Sequence, residues 1–184
     1  MRQLVLAVVL AVLFSAGSAA QQPQTMSTLK VGDPAPDFAL PYATKDTIVF
    51  APPLKLSDEV GKQNIVLAFY PADWSGGCTK EMCTIRDDFS NLENLNAEIL
   101  PISGDYVFTH QEWAKRHNLQ FKLLSDHSHA VAKKYGSYND LSGFNKRTVY
   151  VIDKTGNIAY MNLQYNVGTP DDFQRLKEVL ASMK

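Results

Sequence analysis

The stretch from Asn64 to Leu95 limits the fold more than any other part of the chain, because its hydrophobic period changes partway along. Residues 64–70, "NIVLAFY", form a nearly unbroken apolar run that ends at Pro71. Such a run is expected of a central strand covered on both faces, not of a strand with one wet face. From Cys78 onward, Met82, Ile85, Phe89, Leu92 and Leu95 recur at three- and four-residue spacing with polar residues between them. That spacing predicts an amphipathic helix. A strand buried on both faces needs helices on both sides, so this unit points to a layered α/β domain.

The flanking sequence extends the pattern. "LKVGDPAPDFAL" reads as an extended lead-in with Phe38 and Leu40 pointing inward, and Gly61 marks a turn in "LKLSDEVGKQ". "EILPISGD" is a second strand, weakened by Pro101, and "THQEWAKRHN" is a helix with Thr109 as its N-cap. "FKLLSD" is a short strand, and "SHAVAKKYG" is a helix stopped by Gly136. "RTVYVIDKTGNIAYM" is a hairpin, followed by a closing helix with Thr169 as N-cap and Pro170 at its first position. The expected architecture is a central mixed β-sheet flanked by helices, with Tyr135, Tyr138 and Phe144 packed beneath a closing loop.

The N-terminus belongs to a different category. Arg2 precedes the apolar run "LVLAVVLAVLF", and small residues follow at Ser18 and Ala20, the build of a secretory signal peptide cleaved after Ala20. The run is too short to span about 30 Å of hydrocarbon as a helix, so no stable membrane anchor is expected after cleavage. Residues 1–20 are therefore read as a leader, 21–29 as a polar tether and 30–184 as one domain, with export to a periplasm or the exterior. The chain carries 18 basic and 19 acidic residues, scattered along its length, which argues against a nucleic-acid partner.

Both cysteines of the chain fall in "PADWSGGCTKEMC", residues 71–83. In an oxidising compartment a structural disulfide is the default reading. A domain of this size hardly needs one, and a bridge across four residues closes only a short loop, so the pair looks like chemistry. Cys78 sits where the strand has ended and the helix begins, where free backbone N–H groups and the helix dipole favour a thiolate. If both cysteines are helical, their Cα atoms lie about 8 to 9 Å apart, beyond the roughly 7 Å limit of a disulfide. Closing that bond requires the first turns to unwind. A Cys-x-x-Cys dithiol site would close without unwinding and would face a proline at the start of a later strand. Here that strand begins "NKRTVYVID", with Arg147 in that neighbourhood.

Together, "VGDPAPDF", "FYPADWSGGC", "LLSD" and "RTVYVID" resemble the peroxiredoxins, the AhpC/TSA branch of the thioredoxin superfamily, and most closely the Q subfamily, also called bacterioferritin comigratory protein. The resemblance covers residues 30–184 and implies a thioredoxin-like fold. Its Pro-x-x-x-Thr/Ser-x-x-Cys motif is met by Pro71, Ser75 and Cys78. It implies that Cys78 is the peroxidatic cysteine, Cys83 the resolving cysteine and Arg147 the arginine of the peroxide pocket, with Glu81 matching a glutamate of the family. Ser75 and the backbone around Gly77 would donate to the peroxide, and Pro71 would shield the thiolate. Gly76 departs from the family's usual proline and should loosen the loop.

The reaction implied is reduction of H2O2 or an organic hydroperoxide through a Cys78 sulfenic acid and a Cys78–Cys83 disulfide, recycled by a thioredoxin-like or other dithiol donor. No metal, flavin or haem is needed, and a monomer or weak dimer is expected. Taken singly, Ser75 reads as a helix cap, Arg147 as a surface ion-pair residue, Glu81 as a solvated helix residue able to pair with an arginine, and Trp74 as core, with the pocket lining as its other place. His127 and His129 lack the spacing of a zinc finger. The rival functions are an exported thiol-disulfide oxidoreductase of thioredoxin type and a secreted domain with a structural disulfide.

Overall fold

The computed structural model describes residues 29–183. The leader at 1–20 and nearly all of the tether lie outside the described residues. The described chain forms a seven-stranded mixed sheet between helical layers, as the hydrophobic pattern requires.

In chain order the elements are β1 (Ala39–Ala43), β2 (Ile48–Lys55), α1 (Leu56–Glu59), β3 (Asn64–Phe69), α2 (Gly76–Asp87), α3 (Phe89–Asn94), β4 (Ala97–Ser103) and α4 (Val107–His117). They continue with β5 (Leu123–Ser125), α5 (Ala130–Lys134), β6 (Tyr138–Asn139), β7 (Phe144–Asn145), β8 (Thr148–Ile152), β9 (Ile158–Asn162) and α6 (Asp171–Ser182). The sheet order is β2-β1-β5-β4-β3-β8-β9. Strand β3 pairs in parallel with β4 and antiparallel with β8. All six residues of β3 are buried, and they alternate between two cores. Val66 and Ala68 pack with Cys78, Met82, Ile85, Trp113 and Leu176. Ile65, Leu67 and Phe69 pack with Leu56, Val131, Tyr135 and Tyr150 on the opposite face.

Several elements differ from the sequence reading. The lead-in buries Phe38 and Leu40 as expected, but it continues into the β1–β2 hairpin. Pro52 and Pro53 lie inside β2, which is tolerated because β2 is the outer strand of the sheet. Pro101 does not weaken β4, a seven-residue strand that pairs with β3 from Ala97 to Ile102. The Ile102 carbonyl accepts from the Tyr70 N–H on the β3 side, so the adjacent Pro101 faces the other way. There β4 meets β5 only through Ile102 and Ser103, and no ladder bond is lost.

The predicted helix after Cys78 breaks at Asp88 into α2 and α3. The Asp88 carboxylate is held by Asn91 at 2.5 Å and Lys177 at 3.0 Å. Thr109 lies within the first turn of α4, whose N-cap is Tyr106, and α6 takes Pro170, not Thr169, as its N-cap. Gly136 ends α5 with φ +66. Tyr135 is buried, whereas Tyr138 is half-buried and Phe144 is exposed, because the latter two lie on the small β6–β7 ribbon.

Candidate active site

The site forms where β3 hands over to α2. Beyond Phe69 the chain crosses the sheet edge through Pro71, which is half-buried, and enters α2 at Gly76. Ser75 is the N-cap, and its Oγ accepts from the Cys78 N–H at 3.3 Å. That bond satisfies one of the donors left free at the helix start. Cys78 is fully buried and turned into the core beside Met82.

Arg147 reaches the thiol because β8 lies next to β3, with Thr148 opposite Phe69. Its Nη2 donates to Cys78 Sγ at 3.4 Å, and its Nη1 donates to Glu81 Oε2. Gly77 leaves room for this, since a Cβ there would stand 3.3 Å from Arg147 Nη2. Glu81 is not solvated: it is 2% exposed, and its Oε1 has no hydrogen-bond partner among the described residues. Burial pushes its carboxyl up to about 7, against the pull of Arg147. Burial also opposes the Arg147 charge, but Glu81 and Cys78 outweigh it and hold that pKa above its ordinary value. An open cleft of about 740 Å³ is lined by Arg147, Thr148 and Tyr165 among others, with neither Cys78 nor Glu81 in its lining. A pocket of about 230 Å³ lies on the Glu81 side, under Phe173.

The structure therefore brings Cys78, Ser75, Gly77, Glu81 and Arg147 together and leaves Cys83 apart. Both thiols are free, and both belong to the unbroken α2. Cys83 is half-buried, with Sγ 4.0 Å from His117 Nδ1. Trp74 is 52% exposed, not core, and takes a left-handed φ of 62 in the crossover. His127 Nδ1 faces the Gly104 carbonyl at 3.1 Å, and His129 Nδ1 pairs with Asn145 Oδ1 at 2.8 Å.

A buried polar cluster under the crossover went unread in the sequence. Asp73 accepts from the Tyr70 hydroxyl at 2.8 Å and faces His110 Nδ1 at 2.8 Å. The other ring nitrogen of His110 lies 3.2 Å from the Leu124 carbonyl. The Asp73 N–H and the Ser103 hydroxyl both donate to Asp105 at 2.8 Å. These bonds pin the crossover to the end of β4 and to α4. Burial, then Asp73, raises the Tyr70 pKa well above that of a free phenol. One signal was available: His110 precedes Trp113 and Ala114 by three and four residues, which puts it on the apolar face of its helix.

Residues 31–161 match the AhpC/TSA family. A protein of Triticum aestivum named peroxiredoxin Q, chloroplastic, is 37% identical over 83% of this chain and 64% of its own length. The peroxiredoxin Q of Sedum lineare, also chloroplastic, is 36% identical over 72% of this chain and 73% of its own. Among solved structures, peroxidoxin BcpB of Mycobacterium tuberculosis aligns with a TM-score of 0.73 and 28% identity, covering 85% of this chain and 99% of that one. The chain thus spans just under two thirds of the wheat protein and essentially all of the mycobacterial one.

Proposed function

The chain belongs to the AhpC/TSA family of peroxiredoxins, and from that premise we propose that it is a thiol peroxidase reducing H2O2 and organic hydroperoxides at Cys78. The reading is carried by the Arg147 guanidinium, which donates to Cys78 Sγ at 3.4 Å while Glu81 anchors its other branch. In-line attack by a thiolate places negative charge on the departing oxygen, so a fixed cation beside the sulfur lowers the barrier. Ser75, whose oxygen accepts from the Cys78 N–H, keeps its own hydroxyl hydrogen free to donate toward the peroxide. Pro71 shields the crossover side, and Gly77 provides space for the guanidinium.

The product at Cys78 is a sulfenic acid, which condenses with Cys83 to a disulfide and water. An external dithiol protein of thioredoxin-like type then reduces the disulfide. Both cysteines lie on α2, with Cα atoms about 8 to 9 Å apart by helical geometry, so the start of α2 unwinds in each cycle. Residues 1–20 act as a secretory leader, and the mature protein works outside the cytoplasm as a monomer or weak dimer.

The test is peroxide consumption supported by a chemical dithiol. The intact protein should turn over, Cys78→Ser should be inactive, and Cys83→Ser should accept one equivalent of peroxide and then stop. Continued dithiol-supported turnover in Cys83→Ser would remove Cys83 from the mechanism.

A further inference from the structure

Cys83 has a specific neighbour on another helix. Its Sγ lies 4.0 Å from Nδ1 of His117, the last residue of α4. That separation suits a weak S–H···N interaction in which the ring nitrogen accepts. His117 is fixed through its backbone and flanked by two indoles. Arg86 Nη1, on α2, donates to the His117 carbonyl at 2.8 Å, and the rings of Trp113 and Trp74 lie at centroid distances of 6.1 and 6.3 Å. The charges near it are Arg116 and Lys115 on α4 and Arg86 on α2, the last paired with Asp87 at 2.7 Å. Among the described residues no carboxylate hydrogen-bonds the ring. Burial, Arg116 and Arg86 all lower the His117 pKa, which keeps the ring neutral and able to accept a proton at neutral pH.

Resting on the peroxidase reading of Cys78, we propose that His117 is the general base of the resolving step, taking the proton from Cys83 as that sulfur attacks the Cys78 sulfenic acid. The S–S bond forms as the S–O bond breaks, and the leaving hydroxide recovers the proton from the imidazolium and departs as water. The Cys83 sulfur is oxidised and the Cys78 sulfur reduced, so the step needs no other oxidant or reductant. The Arg86 bond ties the C-terminal half of α2 to α4, which makes the N-terminal half the moving part. Gly76 and Gly77 open that half and lower the cost of unwinding it. Cys78 travels, and Cys83 waits beside its base.

An unassisted thiol loses about tenfold in thiolate for each pH unit below its pKa, near 8.5. A thiol whose proton passes to a neutral imidazole as it reacts gains a second path whose rate does not depend on pH while the ring stays neutral, so its total rate falls less steeply with pH. Two rates on the full chain test this from pH 5 to 8, a range that takes in the acid limb of a ring held below its ordinary pKa. One is disulfide closure after one equivalent of H2O2, followed by acid quench and mass spectrometry. The other is alkylation of Cys83 by iodoacetamide in Cys78→Ser, which involves no peroxide chemistry.

With His117 present both rates should fall by clearly less than tenfold per pH unit while the ring is neutral. In His117→Gln both should rise about tenfold per pH unit, and closure at pH 7 should be slower by about tenfold or more. Arg116→Gln keeps the ring and removes a repelling charge, so it should move the acid limb of the profile to higher pH. Profiles that coincide with and without His117, or an Arg116→Gln profile that does not move, overturn the assignment. If no sulfenic acid forms at Cys78, it is the peroxidase reading that fails, and the alkylation profiles still decide whether His117 activates Cys83.

Discussion

Glu81→Gln tests whether the helix that carries Cys78 holds its carboxylate at a cost. The side chain is 2% exposed, and Oε1 has no partner among the described residues, so Arg147 is its main support. Burial raises its pKa from 4.5 to about 7. Between those values the folded chain keeps a proton that the unfolded chain has released, so stability must fall as pH rises across the window. At about 1.4 kcal/mol per unit the full loss is about 3 kcal/mol, complete above pH 7. Glutamine cannot ionise and escapes that loss, while the other groups titrate alike in both proteins and cancel in the difference. Urea unfolding of the two reduced proteins at pH 4 to 8 supplies the difference directly. The variant should gain about 3 kcal/mol on the wild type between pH 4.5 and 7.5, on top of any constant offset. A flat difference, or one that favours the wild type as pH rises, would refute the argument and make the ion pair with Arg147 a net source of stability.

The other predictions concern the neighbours of the thiol. Arg147→Gln removes the cation at 3.4 Å from Cys78 Sγ and should slow the reaction with H2O2 by about 100-fold or more, read by stopped-flow tryptophan fluorescence. Gly77→Ala puts a Cβ 3.3 Å from the guanidinium and should lower the same rate, whereas Gly76→Ala meets open space and should not. Asp73→Ala leaves the Tyr70 hydroxyl and His110 Nδ1 only each other, 3.5 Å apart, in a buried site, and should cost about 1–3 kcal/mol in urea unfolding. Ser75→Ala removes the α2 cap and should cost about 1 kcal/mol.

The parts of this fold legible in sequence were those with one dominant period. Residues 64–70 could be read because both faces of β3 are covered, and the hairpin of β8 and β9 because its turn chemistry is local. The β1–β2 hairpin was not, since two prolines argue against a strand until its place at the sheet edge is known. The break at Asp88 was hidden because α2 and α3 continue one apolar stripe, and only contacts from Asn91 and Lys177 mark it.

In the site, the spacing of Ser75 and Cys78 showed the cap, since both belong to one helix start, but not the burial of the thiol, which comes from the packing of α2 on the sheet. The pairing of Glu81 with an arginine was open in the sequence, but its burial was misread because a carboxylate on a helix is ordinarily wet, and the arginine lies 66 positions away. Asp73 and His110 were missed for the same reason: each is unremarkable alone, and the fold makes the pair.

Hydrogen exchange across Gly76–Asp87, compared between the reduced protein and protein oxidised with one equivalent of H2O2, tests the central claim most directly. Amides from Cys78 to Asp87 should be protected in the reduced protein, and those in the N-terminal half of α2 should lose protection on oxidation, together with the mass of a single Cys78–Cys83 disulfide. A Cys78–Cys83 disulfide with α2 still protected, or oxidation that links Cys78 to another chain with Cys83 still free, would contradict it.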